Sequence, residues 1–214
     1  MRFTEKEIVF LTSVSRGRLP FGITWHLPEQ EKKEKYIRET TDSLKGKGIL
    51  ATDGKLTKEG AEIIYLFEQY RNCKRHVRLN HVNMAVLPGD ILITMIKTKD
   101  GYEAGCIRRD FFMAELLKHA DYLCLKEEKT ERGRWESVEE SAWINGNEDM
   151  EGCILIDEYD TGHLESEKIY YWKEQRGFLY HRTRGRLRTL SPGVMRKQIY
   201  KILERGEENG QEEW

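Results

Sequence analysis

At 214 residues, with 38% hydrophobic, 34% charged and 10% aromatic side chains, the chain can bury a core and is too apolar to stay disordered. Its 36 basic and 37 acidic residues leave a formal charge of −1, which excludes a global electrostatic pull toward nucleic acid or an anionic membrane. Four dispersed cysteines (Cys73, Cys106, Cys124 and Cys153) form no Cys-x-x-Cys pair and read as reduced thiols. The start, from Met1 to Lys6, has no apolar signal core, and no run approaches ~18 apolar residues, so a cytoplasmic location without membrane insertion is expected.

Along the chain, Thr4 and Glu7 make a capping box, because hydroxyl and carboxylate can satisfy each other's exposed amides at a helix start. Ile8, Leu11 and Val14 give that helix an apolar stripe, and Gly17 ends it. A turn-rich connection over residues 19–25 contributes Phe21 and Trp25 as buried aromatics. A second helix is predicted from about Gln30 to Lys47, with Tyr36, Ile37, Thr40 and Leu44 on one stripe. Asp53-Gly54 between two short apolar runs signals a hairpin. Thr57 then caps a helix bearing Ile63, Ile64, Phe67 and Tyr70. Helix, helix, hairpin, helix is a winged-helix-like order, assigned to residues 1–75.

The period then changes. Val82, Met84 and Val86 alternate, residues 91–96 read as a strand buried on both faces, and residues 102–106 follow after the Lys99-Asp100-Gly101 turn. Asp110 is expected to cap a helix bearing Phe112, Met113, Leu116 and Leu117, which closes a first strand-strand-strand-helix unit over residues 76–125. Residues 126–150 are polar and acidic, with Trp135 and Trp143 as their apolar points, and read as a partly mobile insertion with one helical turn. A second unit over residues 151–206 offers strands at 153–157, 168–173 and 178–188, then a helix started by Ser191-Pro192. Residues 207–214 read as a frayed acidic tail. The expected class is α+β: a winged-helix-like module, then an antiparallel sheet of about six strands from two such units, with a duplication left open.

Charge is segregated along the second half. Residues 126–167 carry fourteen acidic against four basic side chains, and residues 176–205 carry nine basic against one acidic. Arg182, Arg184, Arg186 and Arg188 alternate, so one strand would project all four from one face. Two readings follow: internal pairing with Asp157, Glu158 and Asp160, or an exposed stripe for an acidic partner or RNA. The hairpin tip with Lys97, Lys99, Asp100 and Tyr102 is either an ordinary exposed turn or a loop that inserts against a partner. No serine elbow, phosphate loop or zinc-helix motif occurs, so neither an enzyme nor a cofactor or metal site is expected. His76 and His81 read as structural. DNA reading by the second helix is disfavoured, since Lys32, Lys33, Lys35, Arg38, Lys45 and Lys47 are matched by Glu29, Glu31, Glu34, Glu39 and Asp42.

The order of elements, with Lys47-Gly48-Ile49-Leu50 and Leu56-Thr57 around the hairpin, strands beginning at Val82 and Ile91, a second strand set and a final helix, resembles EspG. EspG-type proteins are cytosolic chaperones of type VII secretion systems, with a central antiparallel sheet and a quasi-two-fold relation between halves. The resemblance implies recognition of a helical-hairpin export substrate, WXG-like or LXG-like, through residues 97–101 and the helix at 111–120 or that at 194–203. The alternative is a winged-helix DNA-binding transcriptional regulator.

Overall fold

The computed structural model describes residues 1–15, 17–23, 33–126, 133–146 and 151–204, leaving aside the side chains of Asn145 and Glu151. Trp25, Lys32, the expected helix start at Gln30 and the tail at 207–214 lie outside these residues. The elements run β1 (Arg2–Phe3), α1 (Glu5–Val14), α2 (Lys33–Gly46), α3 (Lys58–Asn72), β2 (Arg75–Leu79), β3 (Val82–Val86), β4 (Ile91–Thr98), β5 (Gly101–Arg108) and α4 (Arg109–His119). They continue with β6 (Glu136–Ser137), α5 (Glu140–Gly146), β7 (Glu151–Asp160), β8 (His163–Lys173), β9 (Arg176–His181), β10 (Arg186–Leu190) and α6 (Pro192–Glu204).

The class is α+β, as expected, but among the described residues the sheet has ten strands rather than six, in the order β1-β5-β4-β3-β2-β7-β8-β9-β10-β6. Three of the additional strands escaped the periodicity argument. β1 and β6 are two residues each, too short to show a period, and β2 interrupts its apolar residues with Arg75, His76 and Arg78. The fourth comes from the run at 178–188, which is not one strand. Arg182–Arg184 form a 3-10 turn and Gly185 takes a left-handed φ of 57°, so β9 ends and β10 begins there. Each half therefore reads as four strands and a helix.

The chain divides into two compact units, Met1–Cys73 with Ile93–Gly105, and Lys74–Leu92 with Cys106–Trp214. In the first, the Thr4 capping box starts α1, the Asp53-Gly54 turn closes on the bridge between Leu50 and Leu56, and Thr57 caps α3. Thr40 and Leu44 are the buried positions of α2, whereas Ile37 is exposed. Phe3, Ile8, Leu11, Leu44, Phe67 and Tyr70 make the core, with Phe3 set edge-on to Phe67 at 5.3 Å. Gly101 is required where β5 meets β1: its φ is 148°, and an added Cβ would lie 2.1 Å from the Phe3 carbonyl oxygen.

Glu7 ties this unit together. Its carboxylate accepts from the Thr4 amide at 2.7 Å, from Lys47 Nζ at 2.6 Å and from Ser43 Oγ at 2.8 Å. Burial pushes the carboxyl pKa up, but the bonds from Lys47, Thr4 and Ser43 outweigh it and hold the group below its ordinary 4.5. Glu7→Gln should cost about 2 kcal/mol, since it removes hydrogen bonds to a charged acceptor. Because the folded pKa is the lower one, the stabilisation is present above pH 4.5 and fades as pH falls through the folded value. Urea midpoints of both proteins across pH 3 to 7 should therefore converge at the acid end; a constant gap would refute the assignment.

In the second unit, β2 pairs antiparallel with β3 and β7, β7 to β10 continue as an antiparallel meander, and β6 pairs along the outer edge of β10. Successive strand residues point to opposite faces. On β8, Tyr170 donates its hydroxyl toward Gln198 of α6, while Tyr171 meets Trp143 of α5. The two helices thus cover opposite faces. α5 arises inside the stretch expected as a polar insertion, and Trp143 is buried there against Tyr171, Tyr180 and Ile169. Residues 127–132 and 147–150 of that stretch lie outside the described residues. α4 begins at Arg109 with Arg108 at its cap position and no side-chain cap. Asp110 is therefore a first-turn residue rather than the cap, and its charge still complements the helix dipole.

Candidate partner-binding surface

The sequence pointed to two surfaces, and the structure alters both. At the hairpin between β4 and β5, Lys97, Lys99 and Asp100 are exposed, but Tyr102 is 1% exposed and sits opposite Phe3 in the β1–β5 pairing. Tyr102 is a core residue and is corrected out of the partner-contacting set. The arginine run is not a one-faced stripe either. Arg182 and Arg184 belong to the 3-10 turn, and Arg186 and Arg188 to β10. Arg182 donates to Glu140 at 2.6 Å and to Glu167 at 3.4 Å, and the Glu140 bond raises its pKa further. Arg188 stands over the Trp135 ring at 4.2 Å, a cation–π contact that holds the segment before α5 on β10. Arg184 and Arg186 are exposed.

Two of the three acids first matched with this run, Asp157 and Glu158, have other partners. Asp157 accepts from Arg78 at 2.7 Å, and Glu158 accepts from Arg75 at 2.9 Å and from Lys168 at 2.7 Å. Pairing is internal, but with the cations of β2 and β8. Sequence separation hid these partners, because β2 and β7 are about eighty residues apart in the chain.

Among the described residues no group of three or more His, Cys, Asp or Glu side chains is placed to hold a metal ion. None of the four cysteines forms a disulfide, and burial pushes the Cys106 and Cys153 thiols up, away from the thiolate form. His76 is buried in β2. A small polar depression of about 420 Å³ lies beside the stacked rings of Tyr122 and Trp172.

A larger groove, about 500 Å³, runs between α4 and α6. Its origin is a division of labour on each helix. On α4, Met113 and Leu116 are buried, while Met113, Ala114 and Leu117 also line the groove, at positions that share one helical face. On α6, Val194, Met195, Ile199, Ile202 and Leu203 enter the core, and Arg196, Lys197, Tyr200 and Lys201 are left to the groove. Two polar contacts join the pair, and a third ties α6 to the turn after α4. Arg109 donates to the Leu203 carbonyl at 2.9 Å, capping the end of α6, and also to the Gly89 carbonyl. Tyr200 donates to Asp110 at 3.2 Å, and Arg196 donates to the Leu123 carbonyl at 2.6 Å. The helices are therefore antiparallel, with an apolar floor and a charged rim. The sequence marked both stripes but not which apolar residues would remain outside the core.

The model of one family, described as Domain of unknown function (DUF5081), matches residues 1–205. A search of curated proteins finds no match.

Proposed function

We propose, for a chain that belongs to the DUF5081 family, a non-enzymatic cytosolic chaperone or adaptor that holds a helical-hairpin export substrate, WXG-like or LXG-like, of a type VII-like secretion system. The observation that carries the reading is the α4–α6 groove. An apolar floor between two antiparallel helices accepts a third helix, whose large side chains at i, i+3 or i+4, and i+7 fill it. The groove lies between the two helices that the resemblance to EspG offers as alternatives, those at 111–120 and 194–203.

The finer reading of the first unit as winged-helix-like rests on its order of α1, α2, bridged turn and α3. It does not favour DNA. Of the cations of α2 and the turn after it, Lys47 is engaged by Glu7 and Lys35 pairs with Glu39, while Glu34 and Asp42 on the same helix offset the field of Lys33, Arg38 and Lys45.

Ala114 is exposed on the groove floor, so Ala114→Arg should leave stability within about 0.5 kcal/mol. It should lower partner capture by about tenfold or more, because a guanidinium would occupy a desolvated contact. The experiment is nuclease-treated affinity capture from native lysate, with wild-type and variant protein side by side, read by mass spectrometry. A small helical protein held at near-stoichiometric level by the wild type and lost by the variant supports the reading. Capture of the same protein by both, or retention of nucleic acid alone when nuclease is omitted, would end it.

A further inference from the structure

The α4–α6 groove carries a charge gradient along its length. Asp110 and Glu204 lie at one end, Lys201 follows, and Arg196 and Lys197 lie at the other. The order is set by the antiparallel pairing, in which Asp110 bonds Tyr200 while Arg196 reaches Leu123, beyond the last residue of α4. At the acidic end Arg108, 3.6 Å from Asp110, offsets one of the two acids, and Arg109, beside the Leu203 carbonyl, is matched by Asp90 at 3.3 Å; beyond the basic end lies Asp121, two residues before Leu123. The sign at each end survives these counter-charges. Because the helices are antiparallel, their macrodipoles oppose each other, and side-chain charges decide the field.

We propose that the groove takes an amphipathic helix in one direction only, parallel to α6. Its acidic first turn would lie against Arg196 and Lys197, and its basic last turn against Asp110 and Glu204. The inference rests on the helix-binding reading above and adds the polarity of the partner. Ordinary helices carry acids in the first turn and bases in the last, because that arrangement complements their own dipole. Such a helix matches the rim in this direction alone. Turned round, it sets like charges against each other at both ends, and gains only the interaction of its dipole, about half an elementary charge per end. From Asp110 to Leu117 the floor spans about 10 Å, or two helical turns. That length accommodates three anchoring side chains, with Ala114 giving the middle one room.

The test uses the full chain and two designed peptides of about 15 residues, stapled on their outer face because free helices of that length are marginal. Both carry leucines at i, i+3, i+4 and i+7 and identical compositions. One has glutamates first and lysines last; the other has the reverse order. Fluorescence anisotropy of labelled peptides should show the acid-first peptide binding about fivefold tighter, as expected for two exposed charge pairs. The double variant Lys197→Glu with Glu204→Lys, which reverses one charge at each end, should abolish or invert that preference, and Ala114→Arg should weaken both peptides. Equal binding of the two peptides, or a preference untouched by the double charge reversal, overturns the polarity while leaving the groove as a helix site. Binding of neither peptide, or binding of both that ignores Ala114→Arg, overturns the groove reading itself.

Discussion

Trp143→Ala should lower the unfolding free energy by about 3–5 kcal/mol, the range for removing a fully packed large aromatic. The indole is 6% exposed and stacks on Tyr180 with ring centroids 4.5 Å apart and planes 13° apart. It also meets Tyr171 edge-on at 5.9 Å, and its Nε1 donates toward the Tyr171 hydroxyl at 3.4 Å. α5 is only seven residues long, below the length at which a helix persists unaided, so it depends on this anchor. Two polar contacts assist, Arg182 to Glu140 and Lys173 Nζ to the Gly146 carbonyl at 2.6 Å. Both involve exposed groups and contribute little by themselves. The variant should therefore lose stability and also lose amide protection in α5, by hydrogen exchange under native conditions. A drop in stability with α5 still protected would mean that the helix is held by something other than Trp143. Trp143→Phe separates the causes: it keeps the stacking on Tyr180, loses the indole N–H, and should recover more than half of the loss.

This dependence explains why the sequence shows only a polar insertion with one helical turn, whereas α5 packs there on a buried Trp143. Nothing local in residues 133–146 forms a stripe, and the acids around Trp143 resemble a solvated linker. The information lies in β8 and β9, where Ile169, Tyr171, Phe178 and Tyr180 present an aromatic face that needs a cover. By contrast, features whose partners lie within a few residues were legible. The Thr4–Glu7 box, the Thr57 cap and the Asp53-Gly54 turn are satisfied locally, and each appears where expected. The alternating arginines failed for a related reason. A period of two says strand only while the backbone stays extended, and Gly185 between Arg184 and Arg186 was the residue that could break it. The groove was half legible: Met113 and Leu117 marked a helix face, but whether such a face meets a sheet, a helix or solvent is decided by distant residues.

Glu158→Ala should cost about 3 kcal/mol, because it takes the shared carboxylate from two largely covered cations, Arg75 and Lys168. Glu158, Arg75 and Lys168 have side chains 13%, 20% and 14% exposed. One carboxylate oxygen accepts from Arg75 at 2.9 Å; the other accepts from Lys168 at 2.7 Å and from Ser166 Oγ at 2.8 Å. Glu158 lies opposite Val77 on β2 and Ser166 on β8, so both cations approach diagonally from the same face of the sheet. Burial raises the carboxyl pKa, but the charge and bond of Lys168, with Ser166 and Arg75, outweigh it and hold the group below its ordinary 4.5. Its contribution is therefore present above pH 4.5 and lost as pH falls through the folded value. Urea titrations of wild type and Glu158→Ala should show a gap that is full at pH 7 and closes in acid.

The apolar replacement of the whole trio, Arg75→Met with Glu158→Leu and Lys168→Met, should behave oppositely to the single change. Desolvating three charges offsets most of their mutual attraction, so packed side chains of similar volume should restore wild-type stability or exceed it. What the ions supply is register. A slip of one residue between β2 and β7 would put Arg75 and Glu158 on opposite faces and break their pair, whereas an all-apolar face would tolerate the slip. These strands are the first of each four-strand half, so an error there would propagate through every later pairing. The apolar variant should accordingly be stable at equilibrium but slower to reach a single native form, read as added refolding phases in stopped-flow fluorescence. A triple variant as unstable as Glu158→Ala would contradict the desolvation argument; one that refolds as cleanly as wild type would contradict the register argument.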